Sequence, residues 1–199
     1  MSLDAFTPLA VFAAISTLTP GGATTLATAS GARFGFRRSV PLMAGITFGL
    51  ACLAAAAAAG LAGLLLAAPM LQLAMKLAGS LYLFWLALAI GRSGAPKLET
   101  EMAAPASFLG GALLLWLNPK AWTMAFAAAA SFAVLASGPL QLATLLGTAL
   151  GLASALSLSL WCMAGLVLAR ALKTERQWRM LNAIMGLALA LSVIPMWRN

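Results

Sequence analysis

"LWLNPKAWTMAF", residues 115–126, sets Asn118, Pro119 and Lys120 side by side in an otherwise apolar run. Proline lacks an amide N–H and interrupts a helix. A lysine at the centre of a membrane span costs about 2.5–3.5 kcal/mol on insertion scales. A similar interruption, "LTPGG" at 18–22, places Pro20 99 residues before Pro119. What surrounds the two interruptions decides the fold.

The surroundings are those of hydrocarbon. Of 199 residues, 63% are hydrophobic and 8% charged, and the mean hydropathy is +0.99. That is more apolar surface than a soluble domain buries, so the chain reads as an integral membrane protein whose solvent is the lipid bilayer. The net charge is +8, yet the twelve Lys and Arg are scattered, with no polybasic run or basic-aromatic interleaving. Nucleic acid is thereby excluded as a partner. Cys52 and Cys162 lie in apolar runs and read as reduced core thiols, so neither a disulfide nor a metal site is expected, and no cofactor. "ATA" at 27–29 mimics a signal-peptide cleavage site, but "MSLDAFTPL" carries Asp4 and no base, and the following apolar stretch is long. The first span is expected to be retained.

A hydrocarbon core about 30 Å thick takes roughly 20 apolar residues as helix. Six windows qualify: Ala5–Ala29, Val40–Ala67, Leu71–Ile90, Phe108–Ala136, Leu140–Ala169 and Met180–Trp197. Pro41, Pro69, Pro96, Pro105 and Pro139 fall at or between their ends. The whole chain, 1–199, is expected to form one transmembrane domain. Arg33, Arg37 and Arg38 follow span one, Arg92 and Lys97 follow span three, and Arg170, Lys173, Arg176 and Arg179 follow span five. The other face holds Lys76 and Arg198. The positive-inside rule puts the three basic loops in the cytoplasm and both termini outside the inner membrane.

The halves correspond. "LTPGG" aligns with "LNPKA" (117–121), "GITFGL" (45–50) with "GTALGL" (147–152), and Gly79 with Gly186. The separation drifts only from 99 residues at the prolines to 107 at the last glycines. Both Gly-x-x-x-Gly stretches permit close helix approach, within or between protomers. Three spans per copy require the second copy to be inverted, giving repeats of about 5–91 and 106–197. Pro20 lies 13 residues before Arg33 and Pro119 lies 14 after Pro105, so the breaks should meet at one depth. Paired broken helices of this kind mark a transporter site near the midplane. Beyond each proline a half-helix N-terminus would offer N–H groups to an anion, and Lys120 would add a full charge. The plainer alternatives are a repaired kink at Pro20 and a snorkelling Lys120. Thr17, Thr19, Thr24 and Asn118 flank the breaks and, with freed carbonyls, would accept an ammonium group.

At these residues the chain resembles the LysE/RhtB family of bacterial amino-acid exporters. "TPGGATTLATASGARFGFRRS" (19–39), "GITFG" (45–49), "KLAGSLYLFWLALAIGRS" (76–93) and "LNPKAW" (117–122) carry the likeness. Spans five and six match only in pattern. The resemblance implies six spans in two inverted repeats, dimerisation, and amino-acid export driven by protons. The breaks and the matching motifs together mark Thr19, Pro20, Gly21, Gly22, Asn118, Pro119, Lys120 and Tyr82 as candidate substrate-binding or translocation residues. With no histidine and no mid-span carboxylate, Lys120 is the candidate coupling group. Gly22 and Ala23 depart from the family's Pro-Gly-Pro and following polar residue, and Ala130, Ser131 and Phe132 stand where it reads Pro-Gln-Phe. These changes make the break smaller and less polar.

Three functions compete. An exporter of amino acids with neutral side chains fits a positive site without acids. An inorganic-cation exporter needs a carboxylate path, but Asp4, Glu99, Glu101 and Glu175 lie near span ends or in loops. An intramembrane hydrolase would need Ser157 or Ser159 paired with Lys120, because the chain has no histidine. Tyr82 would line the path or simply pack, and Arg33, Arg37 and Arg38 would mark topology or gate the cytoplasmic mouth.

Overall fold

The computed structural model describes residues 6–61, 69–92, 107–191 and 193–194, and every regular element among them is helical. Seven α-helices follow in order: α1 (Thr7–Leu18), α2 (Gly22–Ala56), α3 (Pro69–Gly91), α4 (Phe108–Trp116), α5 (Pro119–Ser131), α6 (Pro139–Ala171) and α7 (Glu175–Leu191). Asp4, Pro96, Lys97, Glu99, Glu101 and Pro105 lie outside the described residues, and of Lys76, Gly79 and Tyr82 only the helical backbone is described.

α2 conceals a reversal. Gly35 has φ 78° and ψ 173°, a region open essentially to glycine alone. Ser30 Oγ and Ser39 Oγ are hydrogen-bonded at 2.7 Å, whereas nine residues of straight helix rise about 13.5 Å. The chain therefore folds back at Gly35 into arms 22–34 and 36–56. The expected loop between spans one and two shrinks to this turn, with Arg33, Arg37 and Arg38 on the helix ends beside it. The second arm begins before Val40, so Pro41 lies inside the helix rather than at its end. It removes a single backbone bond in the arm's second turn.

The helices of the two expected proline-bearing spans are interrupted, the first between Leu18 and Gly22 and the second between Trp116 and Pro119. Span four also ends sooner than Ala136: α5 stops at Ser131 and a 3-10 turn covers Ala133–Leu135. α7 begins at Glu175 rather than Met180, which puts Arg176 and Arg179 on a helix instead of in a loop. The cause is a capping box. Thr174 Oγ1 accepts from the Gln177 N–H at 3.2 Å, and Gln177 Oε1 accepts from the Thr174 N–H at 3.0 Å.

α6 organises the core through its small residues. A Cβ at Gly31 would run into the carbonyl of Cys162, and one at Gly165 into the carbonyl of Thr28. Gly147 lies against Ala51, Gly45 against the carbonyl of Phe108, and Gly49 against Ala112. Both Gly-x-x-x-Gly stretches thus serve packing within one protomer. The opposite face of α6 is greasy: Leu156 is 69% exposed while its neighbour Ser157 is 1% exposed. Hydroxyl inside and leucine outside is the arrangement lipid favours.

α3 and α7 form a second pair, with Gly186 against the backbone of Ala87 and Gly91. Their small core of Leu83, Ala87, Leu189 and Val193 meets the rest at Gly22. A Cβ there would stand 3.2 Å from a Leu83 methyl and 3.3 Å from a Leu189 methyl. Two helical stretches, Gly22–Gly60 and Pro139–Ala171, pass on length and apolarity as membrane-crossing; the first owes part of its length to the turn at Gly35. Cys52 and Cys162 are free thiols.

Candidate functional site

A helix end leaves its last carbonyls without intrahelical donors, and hydrocarbon offers none. At the end of α1, side chains from elsewhere supply them. Ser157 Oγ donates to the Thr17 carbonyl at 2.7 Å, Trp161 Nε1 to Leu18 at 3.3 Å, and Lys120 Nζ to Thr19 at 2.8 Å. Three successive carbonyls are closed by α5 and α6. The hydroxyls of Thr17 and Thr19 donate back to Ala13 and Ile15, at 2.7 and 2.6 Å. Thr24 Oγ1 accepts from the Gly21 N–H at 2.8 Å and donates to the Gly21 carbonyl at 2.9 Å. The carbonyls expected to be free for an ammonium group are therefore occupied in this conformation.

The second break is closed locally. Asn118 Oδ1 caps α5 by accepting from the Lys120 N–H at 3.1 Å, and the Asn118 carbonyl accepts from Ala121 at 2.9 Å. Trp122 Nε1 donates to the Trp116 carbonyl at 2.7 Å. N–H groups for an anion were expected at both breaks, but Pro119 has none and Asn118 takes the next two. At the first break the N–H groups of Gly22 and Ala23 open α2 without intrahelical partners, and both residues line a cavity.

That cavity, ≈ 40 Å³, lies between the two breaks. Thr19, Gly21, Gly22, Asn118 and Lys120 line it. Pro20 is exposed and lies outside the lining. Pro119 opens α5. Tyr82 is placed on α3, with its side chain outside the described residues. Lys120 is half-buried, and its Nζ lies 3.3 Å from where a Cβ on Gly21 would stand. Lys120 alone carries charge among the described lining residues, and none of these is acidic.

A family model described as LysE type translocator matches residues 14–193. The chain belongs to the LysE type translocator family. The match runs through spans five and six, where the motif resemblance was weakest. No curated protein and no solved structure matches the chain. As a LysE type translocator the protein is an all-α membrane transporter.

In this translocator one wall of the cavity is legible only in part from the sequence, which singles out Ser157 as a hydrolase candidate rather than as cavity lining, and Ser154 not at all. Ser154 and Ser157, 4% and 1% exposed, project into it from α6. The signal was present as a stripe: Gly147, Gly151, Ser154, Ser157, Cys162 and Gly165 recur at helical spacing among leucines. A serine–lysine pair is not formed, because Ser157 donates to Thr17 and Lys120 to Thr19. Ser159 is outside the lining.

Proposed function

We propose that this translocator exports amino acids with small or aliphatic neutral side chains across the cytoplasmic membrane, by alternating access around its two helix breaks. One observation carries the reading. The cavity between the breaks combines an ammonium, several hydroxyls and a helix N-terminus, with no acid among its described lining residues. A carboxylate finds positive charge there, whereas a cationic side chain would be buried unpaired at a cost of several kcal/mol. The same lining disfavours an inorganic cation as cargo.

Lys120 is the coupling group in this scheme, exchanging a proton as the cavity faces opposite sides. Two inverted repeats of three spans, about 5–91 and 106–197, would move against each other. The matched breaks, joined by the Lys120–Thr19 bond, support that arrangement. Both termini outside, a homodimeric assembly and proton-driven export complete the proposal.

The test is a competition screen of the twenty amino acids against a labelled neutral substrate in proteoliposomes. Neutral aliphatic residues should compete best. If lysine or arginine competes best, the reading is wrong, and an acid outside the described residues, Asp4 first, must reach the site.

A further inference from the structure

Resting on that reading, we infer that the break in span one is a two-ended cradle for a zwitterion, and that Lys120 holds the ammonium end until the substrate's own ammonium replaces it. Within Thr19–Gly21 the chain passes from the carbonyl end of α1 to the N–H end of α2. Those ends carry opposite partial charges, about half an elementary charge each. An α-amino acid carries the complementary pair on a single carbon.

Lys120 Nζ on the Thr19 carbonyl, at 2.8 Å, is an ammonium bound by a neutral acceptor. It makes the contact that a substrate ammonium would make. A second, independent observation points to a ligand. Ser154 is 4% exposed and lines the same cavity, and its hydroxyl has no hydrogen-bond partner among the described residues. A serine in a helix ordinarily bonds back to the preceding turn; this one is left for something in the cavity.

The exchange balances. The incoming ammonium takes the Thr19 carbonyl, and the released Lys120 pairs with the incoming carboxylate beside the N–H groups of Gly22 and Ala23. A carboxylate alone would draw Lys120 away and strand the Thr19 carbonyl. An amine alone would leave two cations side by side. Only a molecule with both groups opens the contact without loss, so amino acids are selected over organic acids and amines of equal size. At ≈ 40 Å³ the cavity admits water and little else, so Lys120 has to move for cargo to enter.

The test uses thermal unfolding of the purified full chain with alanine, propionate or ethylammonium. Lys120→Ala removes the tethered ammonium and leaves the Thr19 carbonyl open. Ethylammonium at about tenfold its Kd should then raise the variant's Tm by roughly 3–6 °C and leave wild type unmoved. In wild type alanine should raise Tm while propionate and ethylammonium, each alone, do not. Equal ethylammonium shifts in both proteins, no shift in either, or propionate matching alanine would overturn the cradle. If Lys120→Ala does not purify as monodisperse protein, Lys120→Met carries the same comparison, and the wild-type series decides alone. Failure of export leaves a separate mark. A wild type that transports no amino acid, while its Lys120→Ala form is stabilised by ethylammonium, sinks the export reading and keeps the ammonium site.

Discussion

Ser157, midway along α6, donates a 2.7 Å hydrogen bond to the carbonyl of Thr17, 140 residues earlier in the chain. Neither residue is charged, and neither belongs to the motifs that mark the family. Yet this bond, with those from Trp161 and Lys120, closes the last carbonyls of α1 where the chain breaks before α2.

Ser157→Ala should therefore destabilise the fold by about 1 kcal/mol, since it leaves a buried carbonyl without a donor. Thermal unfolding in detergent should show a Tm lower by roughly 2–4 °C. An unchanged Tm would mean that the Thr17 carbonyl finds another donor. Transport should fall without being abolished, which a nucleophilic serine would not permit.

Lys120→Met should still insert and fold, because the hydrogen bond lost from a charged donor, about 1.5–3 kcal/mol, is offset by the roughly 2.5–3.5 kcal/mol that a lysine costs at that depth. Transport should disappear. Unchanged, pH-dependent uptake into inverted vesicles by this variant would remove Lys120 from the mechanism.

Gly31→Ala and Gly165→Ala should each cost about 1–3 kcal/mol, because the added methyl meets backbone, which cannot rotate away. The collisions are with Cys162 and Thr28 respectively. Gly138→Ala is the control: a Cβ there has nothing within 4 Å, and its extended φ of −175° suits any residue. Yield of monodisperse protein and Tm should separate the first two from the third.

Orientation can be read by labelling. In a Cys52→Ala, Cys162→Ala background, cysteines introduced at Ser2 and Asn199 should react with an impermeant thiol reagent in intact cells. One introduced at Ser93 should not. The reverse pattern would invert the topology.

The breaks were legible in the sequence because proline and lysine are conspicuous in hydrocarbon, and Pro20, Pro119 and Lys120 have few other reasons to be there. The start of α7 was legible too, in Thr174 and Gln177, but Arg176 and Arg179 drew the reading toward a loop. Less could be read of what closes the breaks. Serines in membrane helices mostly bond to their own helix, so nothing local separates Ser157, which crosses to α1, from Ser159, which lies outside the cavity. That Lys120 meets a carbonyl 101 residues away is a fact of assembly, invisible to any window of sequence.

The turn at Gly35 has a mechanical consequence. A one-residue reversal clasped by Ser30 and Ser39 contains no slack. Arm 22–34 cannot slide or tilt far without dragging arm 36–56 along, as two prongs of a tuning fork share one stem. Displacement has to be absorbed at the other end of the short arm, at Thr19–Gly21, where the backbone is already uncoupled. Gly35→Ala would show whether the stem matters: in that backbone region a side chain costs about 1–3 kcal/mol, and a loosened stem should slow turnover before it weakens binding.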